Sequence, residues 1–348
     1  MPGGHHHQHS VGMNWNAASS EEARSELSRV ISAQLARACE ALELGKDLAS
    51  TVHETRRAIK RARALLRLAD PWSTNSPTDT TLRDASRILA IVRDADVVVL
   101  TAKDIRDGSP PSQPSLVPLH LLESLEEERR RRFAESGSAD GPLHAATELL
   151  RSVVVEVRDA RAPEAMAGPE RTAPDGMEAT ALGGTEILRL GLAASYAAVR
   201  AQSDQAAGEG PVEASVEASV DASVDERSHK LRKRVKDLRY QLEFLDIGQP
   251  KLGRLVRDLH HLTNLLGDRN DLATLWRYTA SADVLCETER AALTAHVDGR
   301  KQALQSEAAA LSARLFEEEP DYFVRQIERW VTPPRGPAQS PSQGRPQG

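Results

Sequence analysis

Phe, Tyr and Trp together make up only 3% of the 348 residues. A core must then be assembled from Leu, Val, Ile and Ala, a palette that favours packed helices over β-sandwiches or barrels. Cysteine is nearly absent: Cys39 and Cys286 lie far apart and by themselves can make neither a disulfide framework nor a four-ligand zinc site. A reduced cytoplasm is the expected location. No stretch approaches the roughly 18 to 20 apolar residues of a spanning helix, and the N-terminus lacks the apolar core of a signal peptide. Neither membrane insertion nor secretion is expected. The run His5-His6-His7-Gln8-His9 reads as a disordered polar tail rather than a metal site, and no metal or cofactor is expected elsewhere. No segment alternates like a β-strand.

What is present suits a globular protein of two or three domains, with hydrophobic residues at 40% and charged residues at 28%. The net charge of -6 argues against general affinity for polyanions, but it averages over a very uneven distribution. Between His53 and Arg67 there are six Arg or Lys and one acid, and between His229 and Arg239 again six and one. The surplus acid lies elsewhere, in segments such as 205–226 and 317–321. Two short basic blocks therefore stand on an otherwise acidic chain.

Apolar spacing of the helical period predicts helices over roughly 21–49, 51–69, 79–107, 116–160, 185–203, 226–247, 250–286 and 288–316, with a short one near 320–331. The expected organisation is a disordered leader 1–19, a helical half 20–162, a linker 163–184, a second helical half 185–331, and a disordered tail 332–348. Within the second half, the low-complexity acidic segment 204–226 reads as a flexible loop. A mobile anion so placed could visit the adjoining basic block and shield it.

The halves are related in sequence. With a shift of 176, His53 falls on His229, Arg56 on Arg232, Lys60 on Lys236, Arg63 on Arg239, and Leu66 on Leu242. Further on, Leu89-Ala-Ile-Val-Arg-Asp94-Ala-Asp96 parallels Leu266-Gly-Asp-Arg-Asn-Asp271 with one residue inserted. On a helical wheel, His53, Arg56, Arg57, Lys60, Arg61, Arg63 and Arg67 share one face, opposite Ala58, Ile59, Ala62, Leu65 and Leu66. In the second copy His229, Arg232, Lys233, Lys236, Arg239 and Tyr240 form the polar arc.

Like charges stacked at i, i+3, i+4 and i+7 weaken an isolated helix by a few tenths of a kcal/mol per pair. A polyanion offsets that cost, because each cation meets a phosphate oxygen through a charge-assisted hydrogen bond, bidentate for Arg. Beside several cations the charged forms of His53 and His229 are disfavoured until a polyanion arrives, so binding should take up protons. Asp94, Asp96 and Asp271 are expected to hold basic side chains of neighbouring helices in place, as structural support rather than acid–base catalysts. The run Glu126-Glu-Glu-Arg-Arg-Arg-Arg132 reads as an exposed, ion-paired face.

These blocks resemble the CHAD family, the conserved histidine α-helical domain. The matching residues are Val52-His53-Glu-Thr-Arg56-Arg57-Ala-Ile-Lys60-Arg61-Ala-Arg63 and Val92-Arg93-Asp94-Ala-Asp96-Val97 in the first half. In the second they are His229-Lys-Leu-Arg232-Lys233-Arg-Val-Lys236-Asp-Leu-Arg239-Tyr240 and Leu266-Gly267-Asp-Arg-Asn270-Asp271. The resemblance spans roughly residues 20–331. It implies an all-α protein, two four-helix bundles related by pseudo-two-fold symmetry, whose basic residues converge to bind inorganic polyphosphate. It also implies association with polyphosphate granules and their proteins. Asp237 departs from the first copy, where Arg61 stands, and makes the second strip less basic.

An enzyme acting on phosphate chains is the first rival. CHAD domains can be joined to a domain resembling the CYTH family, whose Glu-x-Glu-x-Lys signature coordinates metal, but here Glu287-Thr-Glu289-Arg-Ala ends in Ala291. There is also no P-loop, HExxH, His-Asp dipeptide or nucleophile elbow, so a non-catalytic protein is expected. Non-specific nucleic-acid binding is the second rival, disfavoured because the strips lack interleaved aromatics apart from Tyr240. A helical scaffold for partner proteins is the third.

Overall fold

The computed structural model describes residues 20–45, 47–70, 76–108, 115–137, 141–159, 184–207, 217–246, 248–281 and 284–332. The His-rich start and the expected leader, with residues 163–183 of the linker and 333–348 of the tail, lie outside them. The described residues form helices α1 (Ser20–Leu44), α2 (Leu48–Ala69), α3 (Pro77–Ile88), α4 (Ala90–Asp107), α5 (Leu119–Ser136) and α6 (Pro142–Asp159). After the linker come α7 (Gly184–Ala207), α8 (Glu217–Leu245), α9 (Pro250–Ser281), α10 (Glu287–Leu315) and α11 (Pro320–Val331). No strand occurs among the described residues, in accord with the expected all-α class. None of these helices is long and apolar enough to cross a membrane.

Local chemistry sets the boundaries. Pro opens α3, α6, α9 and α11, where its missing N–H costs no intrahelical bond. Ser76 caps α3 by accepting from the Asp79 N–H at 3.1 Å, and Glu289 closes a capping box at α10 by accepting from the Cys286 N–H at 3.0 Å. Gly45 and Gly248 follow α1 and α8 with φ of 58° and 87°, the left-handed conformation that lets the chain reverse there.

Three segments differ from the sequence expectation. The stretch 79–107 is two helices with a break at Leu89; its apolar period runs through the break because Leu82, Ala85, Leu89 and Val92 all face the core. The stretch 116–160 divides into α5 and α6 on either side of Gly137 and Gly141-Pro142. The acidic segment read as a loop belongs to α7 up to Ala207 and is helical again from Glu217, as the start of α8.

In the first half, α1 packs on α2 and α6, α3 on α6 and α2, and α4 pairs with α5. In the second, α7 packs on α8 and α11, α8 on α9, and α9 on α10. The halves meet where α2 crosses α7 and α8 and where α4 lies on α9. One continuous apolar cluster of mainly Leu, Val, Ile and Ala runs through both. Three of the twelve aromatics cluster: Tyr196 of α7 stacks on Phe323 of α11 at 4.0 Å between centroids and meets Phe316 edge-on at 5.9 Å. Burial pushes the Tyr196 hydroxyl up to about 12.

Candidate anion-binding site

Helix α2 buries Val52, Thr55, Ile59, Ala62, Leu65 and Leu68, and α8 buries Leu231, Val235, Leu238 and Leu242. That repeated spacing turns the basic faces of both helices toward the junction where they cross. Gln241 ties the crossing by donating from Nε2 to the Ala64 carbonyl at 3.0 Å.

The junction gathers Arg56 and Lys60 from α2, Arg232 and Lys236 from α8, and Arg93 from α4. Burial, followed by the repulsion of Arg56, Arg232 and Arg93, brings the Lys60 ammonium down to about 7. Burial, with Arg232, Lys60, Arg239 and Arg93 adding to it, brings Lys236 down to about 5. Arg56 falls to about 10, through burial and then Arg93, although its guanidinium donates to the Ser86 carbonyl. Burial also lowers Arg232, whose Nε has no hydrogen-bond partner among the described residues. No carboxylate of the described residues is ion-paired with Lys60, Lys236 or Arg232.

Asp271 of α9, the acid that favours the charge of Lys60, is already engaged: it accepts from Arg93 at 2.9 Å. Asp94 accepts from the other arm of Arg93 at 3.1 Å. Burial opposes the Arg93 charge, but Asp271 and Asp94 outweigh it and hold the group above its ordinary value. The two histidines flank the cluster. Loss of hydration lowers His53, with Glu54 opposing and Lys60, Arg57 and Arg93 adding. It brings His229 down to about 4, helped by Lys233 and Arg232 and opposed by a hydrogen bond with Asn270.

The remaining residues of the two strips have protein partners or stand outside. Arg63 forms two bonds to Asp79, at 2.9 and 3.0 Å. Arg67 reaches Asp79 at 3.1 Å and Asp237 at 2.8 Å. Arg61 meets Glu243 at 3.1 Å. Arg239 is 7% exposed and bonds to His260, with Glu243 at 3.5 Å. Tyr240 is 4% exposed, its ring beneath the guanidinium carbons of Arg239 at 4.6 Å and Arg61 at 5.5 Å. Arg57 is exposed and pairs weakly with Glu54 at 3.4 Å on its own helix, and Lys233 is exposed at the rim near Arg63 and Arg87. The continuous strip of the helical wheel is thus a compact free cluster bordered by an ion-pair network. Its acids come from other helices or turns, which a wheel drawn for one helix does not include.

The three acids singled out in the sequence behave differently from one another. Asp271 holds a cation of another helix, and so does Asp96, at 2.7 Å from Arg129 of α5. Asp94 holds Arg93 of its own helix. Asp237 is not merely a lost positive charge: it is the strut that fastens Arg67 to α8, and burial raises its carboxyl. Asp225, at the end of the acidic segment, lies 2.7 Å from Arg269 and 3.4 Å from Lys301, so this acid is fixed rather than free to visit the basic cluster.

The sequence reading missed four contributors. Arg93 precedes Asp94 in the first-half block, and that adjoining base and acid was the available signal. Asp79 and His260 carry none, because their partners are distant in the chain. Gly267 interrupts the run Leu265-Leu266, and a Cβ there would stand 2.8 Å from a terminal nitrogen of Arg232, so the missing side chain lets the guanidinium lie against α9.

A helical protein with a half-buried basic cluster at the crossing of two repeated helices is the class that fold and site define. The model of the CHAD domain family matches residues 29–280, most of the chain, and the chain belongs to that family. It is similar in fold to the crystal structure of the CHAD domain from the plant Ricinus communis, with a TM-score of 0.53 and 18% identity over 92% of this chain and 94% of that one. No curated protein matches the sequence.

Proposed function

We propose that this protein binds inorganic polyphosphate at the α2–α8 junction and does not act on it chemically. One observation carries the reading: Lys60, Arg232 and Lys236, from two helices, stand half-buried together beside Arg56 and Arg93 without ion-paired carboxylates of their own among the described residues. Buried like charges are costly. A flexible polyanion supplies many phosphate oxygens at close spacing and can follow the cluster inward, stabilising every cation it meets. The CHAD resemblance supports the same ligand and extends the reading to a cytoplasmic protein associated with polyphosphate granules and their proteins. Nucleic acid fits less well, since Tyr240 is interior and offers no stacking platform.

The test is a titration with polyphosphate, tRNA and duplex DNA at several salt concentrations, with phosphate release assayed in parallel. Polyphosphate should bind tightest, with no release of phosphate above the blank. Arg56→Glu with Lys60→Glu should weaken binding strongly while helicity is retained, because neither residue belongs to the apolar face. Equal affinity for duplex DNA, or steady phosphate release, would overturn the reading.

A further inference from the structure

We propose that anion capture at this junction is proton-linked: Lys60 and Lys236, clustered with arginines of three helices and with no ion-paired carboxylate of their own among the described residues, take up protons as the polyanion arrives. The inference rests on the polyphosphate reading and assigns its regulation. The charges bearing most strongly on the two amines come from four helices. They are Arg56 of α2, Arg93 of α4, Arg232 and Arg239 of α8, and Asp271 of α9, besides the amines themselves. Asp94 of α4, Asp268 of α9, and His53, His229 and His260 stand around the same arginines and lysines.

No carboxylate of the described residues pairs with either lysine. Asp271 is bonded to Arg93, and Glu243 lies against Arg61 and Arg239. Arginine keeps its proton in such surroundings, whereas lysine gives it up readily when buried. With Lys60 near 7 and Lys236 near 5, the free site at pH 8 holds two largely neutral amines. Phosphoryl oxygens arriving beside them reverse the preference, and each amine then gains a proton from solvent. The sequence pointed to the histidines for this role. The structure assigns it to the lysines at pH 8, where an amine restored toward its ordinary 10.5 is charged, whereas His53 and His229, even restored to 6.5, stay largely neutral. The protein should therefore grip long polyphosphate more tightly as the medium acidifies, by roughly tenfold per pH unit for each proton taken up.

The experiment is calorimetric titration of the full chain with long-chain polyphosphate at pH 8 and pH 6, in buffers of different ionisation enthalpy. The dependence of the heat on the buffer counts protons; long chains keep the contribution of titrating end groups small. We expect an uptake of about one to two protons per site at pH 8 and less at pH 6. In Lys60→Arg with Lys236→Arg, the ratio of affinities at the two pH values should collapse toward one and the uptake should vanish. An NMR titration of the lysine amines in the free wild-type protein needs no variant, and should reveal two that titrate at or below neutrality. Binding with no buffer dependence would overturn the proton linkage and leave the polyphosphate reading standing. Uptake that survives in the double arginine variant would overturn the assignment to the lysines. Absence of binding would overturn both readings.

Discussion

Lys236 illustrates how much of this site depends on what surrounds a single amine. Its ammonium would titrate at 10.5 in an unfolded chain and titrates at about 5 in the folded one. Between those values the unfolded state binds more protons, so this group makes the free protein more stable as the pH rises and less stable as it falls. Below the folded value both states are charged and the full penalty is present. Lys236→Met should accordingly raise the thermal midpoint of the unliganded protein at pH 6 by a few degrees, with the gain shrinking by pH 9. Melts of variant and wild type at the two pH values check this; an equal gap at both would mean that the amine has a counter-charge after all. The residue type and its place on the basic face were legible from the helical period. Its environment was not, because Lys60 and Arg93 approach from helices distant in the chain.

At the scale of elements, the crossing of α2 and α7 depends on a residue with no side chain. A Cβ on Gly191 would stand 2.2 Å from the Leu68 carbonyl oxygen, so α7 lies directly against the backbone of α2. Gly191→Ala forces the two helices apart and should cost about 1 to 3 kcal/mol, read as a lower denaturation midpoint. Gly299 of α10 is the control: a Cβ there meets nothing within 4 Å. Gly299→Ala should therefore stabilise by about 0.5 to 1 kcal/mol through helix propensity. Equal effects of the two substitutions would show that Gly191 is not a packing requirement. Helix positions were largely legible in the apolar spacing. The break at Leu89 was not, because a buried residue at the break keeps the spacing unbroken, and Gly191 sat unremarked inside a helical segment.

For the whole molecule, the ion pairs of Arg61, Arg63 and Arg67 with Glu243, Asp79 and Asp237 decide how large the free basic surface is. They divide the basic face of α2 into a portion fastened to α3 and α8 and a portion left for a ligand. That ligand-facing portion joins residues of α2, α4 and α8, with exposed Arg57 and Lys233 farther out. A chain long enough to reach from the buried cations to these outer ones gains contacts that a short phosphate cannot. Triphosphate should therefore bind at least tenfold more weakly than long polyphosphate at the same salt, and its affinity should fall less steeply with salt, since it displaces fewer counterions. Equal affinities in a side-by-side titration would confine recognition to the buried cluster.

The sequence by itself determined the helical class, through a scarcity of aromatics and a persistent helical period, and it marked two related basic blocks through an internal repeat. These are properties of neighbours along one chain segment, where spacing on a helix is fixed by geometry. Only the tertiary structure decided which cations are neutralised and which remain unpaired. Asp79 lies 16 residues from Arg63, and Asp237 lies 170 from Arg67. Charge compensation is governed by distance in space and by burial, and neither is encoded in the spacing of residues on a single helix.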